Sequence, residues 1–184
     1  NRLTVAGLLK QNGYTTAALG KWHLGMDISE NPHVTKISGG PTTRGFNYFF
    51  GIAASLDMPP FAFIENNHFT EAPTAVKTFK RQGAAAPHFE AEDVVPTLVK
   101  KAEEFVTQTK GPFFLYLALP SPHTPLVPTK EWQGKSVLGE YGDYVLETDW
   151  AVGQVLDTLN QCVAGSNTLV FVSSDNGVAL YVGA

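Results

Sequence analysis

The run Phe113-Phe114-Leu115-Tyr116-Leu117-Ala118-Leu119 constrains the fold more than any other stretch. It shows no polar alternation, so it predicts a strand covered on both faces, and such strands lie centrally in parallel sheets flanked by helices. It is strand-sized and too short to cross a bilayer. Two further runs have the same character. Thr15-Thr16-Ala17-Ala18-Leu19 is small, apolar and partly β-branched, and predicts a buried strand ending at Gly20. Thr168-Leu169-Val170-Phe171-Val172 predicts another. The fold class expected is therefore α/β, a largely parallel central sheet flanked by helices. With 184 residues and 43% hydrophobic composition the chain can bury one sizeable core.

Between these runs the helical period appears. Thr4 is placed to cap a short helix carrying Val5, Leu8 and Leu9 on one stripe, with Gly13 positioned to end it. Residues 93–109 predict an amphipathic helix whose stripe is Val95, Leu98, Val99, Ala102, Phe105 and Val106, with Pro96 tolerated in the first turn. Residues 141–162 predict a second long helix with Val145, Val152, Leu156 and Leu159 on one face. Asp149 falls on that face, where a carboxylate must be paired or hydrogen-bonded. The aromatic run Phe46, Tyr48, Phe49 and Phe50 predicts burial against the sheet. Phe61-Ala62-Phe63-Ile64 reads as an alternating strand closed by Glu65-Asn66-Asn67. Residues 26–45 and 68–90 are polar and broken, and are expected to be surface excursions of a single domain. They carry His33, His68 and His88 without ligand spacing.

Charge and cysteine usage narrow the function. A net charge of -4 with scattered Lys and Arg gives no basic stripe, which argues against a nucleic-acid surface. The lone cysteine, Cys162, rules out an internal disulfide and a cysteine-based zinc site, and reads as a neutral interior thiol. Asn1 is not an initiator methionine and 182–184 stop abruptly, so the chain reads as an internal piece truncated at both ends.

Each predicted strand runs into a polar loop. Gly20-Lys21-Trp22-His23-Leu24-Gly25 places a cation and an imidazole between glycines. Pro120-Ser121-Pro122-His123-Thr124-Pro125 holds one histidine in a proline-stiffened bend, and Ser173-Ser174-Asp175-Asn176-Gly177 offers a carboxylate and an amide. In a parallel sheet the strand ends point one way, so Lys21, His23, His123, Asp175 and Asn176 can converge on one crevice. Asp175 and Asn176 are hard oxygen donors suited to calcium or magnesium. Lysine and histidine supply positive charge and proton transfer. Such a set would hold an anionic ester group and protonate its leaving oxygen.

The segment Gly13-Tyr14-Thr15-Thr16-Ala17-Ala18-Leu19-Gly20-Lys21-Trp22-His23-Leu24-Gly25 resembles the second signature of the type I, formylglycine-dependent sulfatases of the alkaline-phosphatase-like superfamily. The resemblance continues through Arg44-Gly45-Phe46 to Asp57, through Pro112-Phe113-Phe114-Leu115-Tyr116 to Pro125, and through Tyr144 to Asn176-Gly177. It implies sulfuric ester hydrolysis in the intact protein. Lys21 and His23 would line the sulfate pocket, His123 would contact the ester oxygen, and Asp175 and Asn176 would bind calcium, in preference to magnesium. Ser55 aligns with a serine that approaches the sulfate in some arylsulfatases. The resemblance also implies the remaining partners: a sulfated carbohydrate or aryl sulfate substrate, a formylglycine-generating or equivalent maturation enzyme, and export to a periplasmic, secreted or lysosomal location.

The family nucleophile is a cysteine in a Cys-x-Pro-x-Arg context, and Cys162 has no such context. That motif and the paired aspartates of the metal site lie upstream in the family. A further active-site lysine, normally downstream, has no match within 178–184. The chain alone is therefore expected neither to turn over nor to bind calcium tightly. In the intact enzyme, calcium and Lys21 would offset charge on the sulfate while His123 or Lys21 assists departure of the alcohol. His23 would orient the formylglycine or help eliminate sulfate. The alternatives are a phosphodiesterase or phosphonate hydrolase of the same superfamily, and a catalytically inactive sulfatase-like binding protein.

Overall fold

The computed structural model describes residues 2–162 and 166–178. The chain opens with α1 (Val5–Gln11), capped as predicted: Thr4 Oγ1 accepts from the Gly7 amide at 2.9 Å. The same hydroxyl donates to the Arg44 carbonyl at 2.6 Å, fastening the helix start to a distant turn. The predicted apolar stripe of α1 is not its buried face. Val5 and Leu8 are exposed, and Ala6 is the buried residue. The cause is a backbone contact. A Cβ at Gly45 would lie 2.3 Å from the Gly7 nitrogen, so α1 docks through its smallest residues and its larger apolar ones are turned away.

The central sheet has strand order β6-β5-β4-β1-β9. Its parallel part joins β4 (Tyr48–Ile52), β1 (Thr15–Lys21) and β9 (Phe113–Ala118). An antiparallel hairpin, β5 (Ile64–Glu65) and β6 (His68–Phe69), extends it from β4. The β1 prediction holds, with the strand carried on to Lys21. Among the described residues the run expected to be the central strand is the edge: β9 pairs with β1 alone and its residues are half-buried, Tyr116 being 48% exposed. Uninterrupted apolarity does not encode whether a strand has a neighbour on each side. Phe61 to Phe63 form no regular strand. Phe61 makes a single parallel bridge to Ala85, and pairing in the sheet starts at Ile64.

Two small ribbons lie outside this sheet, β2 (Met26–Asp27) with β3 (Ser38–Gly39), and β7 (Ala75–Phe79) with β8 (Arg81–Ala85). The aromatic run behaves as its composition requires: Phe46, Phe49 and Phe50 are buried, and Phe46 stacks on Phe114 at 6.1 Å.

α2 (Val94–Gln108) buries Val94, Val95, Leu98, Val99, Ala102 and Val106, close to the stripe read from sequence, and packs on β1, β4 and α3. α3 (Gly139–Gln161) departs from its prediction. Its buried face is Gly142, Asp143, Tyr144, Glu147, Ala151, Val155 and Leu159, while Val145, Leu156 and Asp149 are exposed. Apolar residues occupy both faces of this helix, so periodicity alone does not choose between them. The choice falls to the contact of Tyr144 and Ala151 with Val95 and Val99 on α2.

The buried carboxylates of α3 brace the loop that follows β9. Asp143 accepts from the amides of Gly134 and Ser136 at 2.7 and 2.6 Å, and these bonds hold its carboxyl below the usual carboxylate range. Glu147 accepts from the Thr129 amide at 3.0 Å, but burial outweighs that bond and pushes its carboxyl upward. The Thr148 hydroxyl lies 2.8 Å from Ser121 Oγ, tying the same helix to the loop around His123.

No helix among the described residues is long and apolar enough to cross a membrane.

Candidate active site

The site is assembled at the C-terminal edge of the parallel strands. Gly20 in β1 is paired with Gly51 of β4 and Ala118 of β9, so the strands end side by side and Lys21 emerges at their common limit. Small residues are obligatory here. A Cβ on Gly20 would fall 2.0 Å from the Ala118 carbonyl oxygen, and one on Gly51 would fall 1.9 Å from the Gly20 oxygen. Gly20 also has φ +111°, a conformation that side chains rarely adopt.

Beyond Lys21 the chain follows the residues after β4. The Trp22 amide donates to Ile52 O at 3.1 Å and the His23 amide to Ala53 O at 2.9 Å. Trp22 anchors the turn: it is buried, meets the Phe46 ring edge-on at 6.3 Å, and donates its indole N–H to Gly25 O at 3.0 Å. His23 sits at φ 62°, unusual for a residue with a Cβ, and its Nδ1 lies 3.4 Å from Oγ of buried Ser55. Strained residues of this kind concentrate at functional sites. Among the described residues Lys21 has no ion-pair partner, which leaves its charge for a ligand.

The loop after β9 supplies His123. Its amide donates to Pro120 O at 3.1 Å, and its Nδ1 lies 2.6 Å from the Thr124 carbonyl. A carbonyl accepts only, so Nδ1 carries the proton and Nε2 is the nitrogen left for a ligand. The structure thus brings Lys21, His23, Ser55 and the His123 loop to one edge of the sheet.

Asp175 and Asn176 are placed differently. The run 168–172 forms no strand: Leu169, Phe171 and Val172 are 78, 85 and 70% exposed. A parallel strand is held by packing on both faces, and none of these side chains has it. Asp175 and Asn176 are exposed in a local turn, in which Ser174 Oγ donates to Asn176 O at 2.6 Å and Asn176 Nδ2 to Gly177 O at 2.9 Å. Calcium takes about six to eight oxygen ligands. Among the described residues no group of three or more His, Cys, Asp or Glu is arranged to hold a metal ion, so they do not by themselves form a calcium site.

Two cavities, of about 360 and 380 Å³, lie apart from the candidate residues. One is between the start of α2 and Trp132 and Trp150, the other beside residues 65–70. Two cations escaped the sequence reading. Lys80 and Arg81, at the tip of the β7–β8 hairpin, contact Thr124 and Asp57. No turn glycine marks that tip, because Lys80 itself adopts φ 73°.

With this geometry in place, the chain is found to belong to the sulfatase family, whose domain it matches over residues 1–184. It is 31% identical to an N-acetylgalactosamine-6-O-sulfatase of Bacteroides thetaiotaomicron across 95% of this chain, and 29% identical to human arylsulfatase H across 96%. A Bacteroides thetaiotaomicron structure, solved in work on the metabolism of multiple glycosaminoglycans, superposes with a TM-score of 0.75 at 27% identity, over 86% of this chain and 42% of that one. The chain spans 42 and 41% of the length of the two curated relatives.

Proposed function

We propose that the protein containing this chain hydrolyses sulfuric esters, and that the edge formed by β4, β1 and β9 is one wall of its sulfate pocket. The observation that carries this reading is the seating of Lys21 and His23. A cation without an ion-pair partner among the described residues and a strained imidazole are fixed at the C-terminal limit of parallel strands by glycines that admit no Cβ. Sulfatase membership supplies the anion.

In this reading Lys21 contacts a sulfate oxygen and offsets the charge that builds during S–O cleavage. His123, oriented by Thr124, is the proton donor to the departing alcohol at Nε2 once its imidazole is protonated. His23 orients the nucleophile or helps release sulfate, and Ser55 fixes its ring. Formylglycine, formed from a cysteine outside this chain by a maturation enzyme, is the proposed nucleophile. Calcium is the proposed metal, with Asp175 and Asn176 among its ligands. Export, as in periplasmic, secreted or lysosomal enzymes, completes the reading.

The test is hydrolysis of 4-nitrophenyl sulfate by the full-length protein, with bis(4-nitrophenyl) phosphate alongside. Sulfate release, lowered about 10²-fold or more in kcat by His123→Ala, is the expected result. Preferential cleavage of the phosphodiester, or no effect of His123→Ala, overturns it.

A further inference from the structure

We propose that Lys80 and Arg81, at the tip of the β7–β8 hairpin, form a subsite for a second anionic group of the substrate. The substrate class would then be a saccharide carrying a carboxylate or another sulfate beside the ester that reacts. The inference rests on the sulfate-ester reading of the adjacent pocket and extends it.

The hairpin tip is tied to two of the loops that build the candidate site. Lys80 Nζ donates to Thr124 Oγ1 at 3.4 Å, and Thr124 is the residue whose carbonyl orients His123. Arg81 Nη2 lies 3.6 Å from Asp57 Oδ2, and Asp57 follows by two positions the Ser55 that contacts His23. Lys80 thus contacts the residue next to His123, and Arg81 contacts a residue two positions from the serine beside His23.

The tip is rigidly held, as a recognition element requires. On the β8 side, the Phe61 amide donates to Ala84 O at 2.8 Å and the Ala86 amide to Phe61 O at 2.9 Å. Gly83 lies so close to Pro59 that a Cβ would sit 2.3 Å from the proline ring. On the β7 side, Lys77 Nζ bonds Phe89 O and Glu90 Oε1 at 2.6 and 2.7 Å, and the Phe79 ring meets Phe61 and Phe89 edge-on. A two-stranded ribbon alone would be marginal; this one is pinned along both strands.

The tip residues themselves suit an anion. Lys80 forms the turn alone, because Phe79 and Arg81 are paired directly, and it does so at φ 73° where glycine would fit without strain. A lysine at a backbone conformation that glycine would adopt without strain points to use of its side chain. The Arg81 side chain is 60% exposed, and its single ion-pair contact among the described residues leaves guanidinium donors for a planar, bidentate ligand such as a carboxylate or sulfate. Asp57 is 8% exposed and its Oδ1 has no hydrogen-bond partner among the described residues.

The experiment compares, in the full-length enzyme, a sulfated disaccharide bearing a uronate carboxylate with 4-nitrophenyl sulfate, which has no second charge. In Lys80→Gly/Arg81→Gln the ratio of kcat/KM for the disaccharide to that for the aryl sulfate is expected to fall about tenfold, through KM. Arg81→Lys should recover part of it. Added salt should raise the wild-type KM for the disaccharide more than that of the double variant. Lys80→Gly alone relieves the backbone conformation, so it keeps the test informative should the double variant fold poorly. An unchanged ratio in both variants overturns the subsite while leaving sulfate hydrolysis standing. Failure of the wild-type enzyme to release sulfate from either compound overturns the sulfate reading and this subsite with it.

Discussion

The loop after β1 and the stretch 168–178 carry motifs of similar appearance, yet they are built in opposite ways. Around Lys21 the constraints come from packed neighbours on other elements. Gly20 and Gly51 admit no side chain, Trp22 is buried against Phe46, and the amides of Trp22 and His23 continue the ladder onto Ile52 and Ala53. Around Asp175 the hydrogen bonds are confined to neighbouring residues and the apolar side chains leading to it are exposed. The difference teaches that a chemical motif and the packing that positions it are separate properties. The first stretch has both; the second, among the described residues, has the motif only.

Three substitutions probe that contrast. Gly20→Val demands the largest change, since the new Cβ would overlap the Ala118 carbonyl and φ +111° is hostile to a β-branched residue. A loss of about 4 kcal/mol or more in urea denaturation is expected, in the class of exceptional destabilisations. A loss under about 1 kcal/mol would break the argument that the strands must end flush. Trp22→Ala should cost about 3 kcal/mol, the lower end for a large aromatic removed from a core, and should also lower anion affinity as the turn loosens. Phe171→Ser should change stability by less than about 0.5 kcal/mol, because an 85% exposed ring has little packing to lose. A cost above about 1 kcal/mol in the full-length protein would show that 168–172 packs there as the sequence pattern predicts, and would sharpen the contrast into one of context.

The same distinction separates what could be read in the sequence from what could not. Thr4 as a helix cap, β1 up to its glycine, the α2 stripe and the burial of Phe46, Phe49 and Phe50 all depend on local chemistry, and all are found. The position of β9 at the edge, the buried face of α3 and the docking of α1 through Gly7 depend on what lies opposite, which a periodicity does not encode. Among the proposed site residues, the placement of Lys21, His23 and His123 at strand ends was legible because each follows an apolar strand. Lys80 and Arg81 were not. Their placement depends on a hairpin whose turn residue is a lysine and whose contacts, Thr124 and Asp57, are remote in sequence.

The outer edge of β9 bears on how such a chain behaves in solution. Backbone donors and acceptors along Phe113–Ala118 face no ladder partner on that side among the described residues, and the side chains flanking them are apolar. An unpaired edge without charge or proline is a template for another strand, including the same strand of a second molecule. Handled as a separate polypeptide, this chain is expected to associate through that edge at rising concentration, and sedimentation velocity over a concentration series checks it. A lysine placed at the exposed Tyr116 position is the substitution that discourages it.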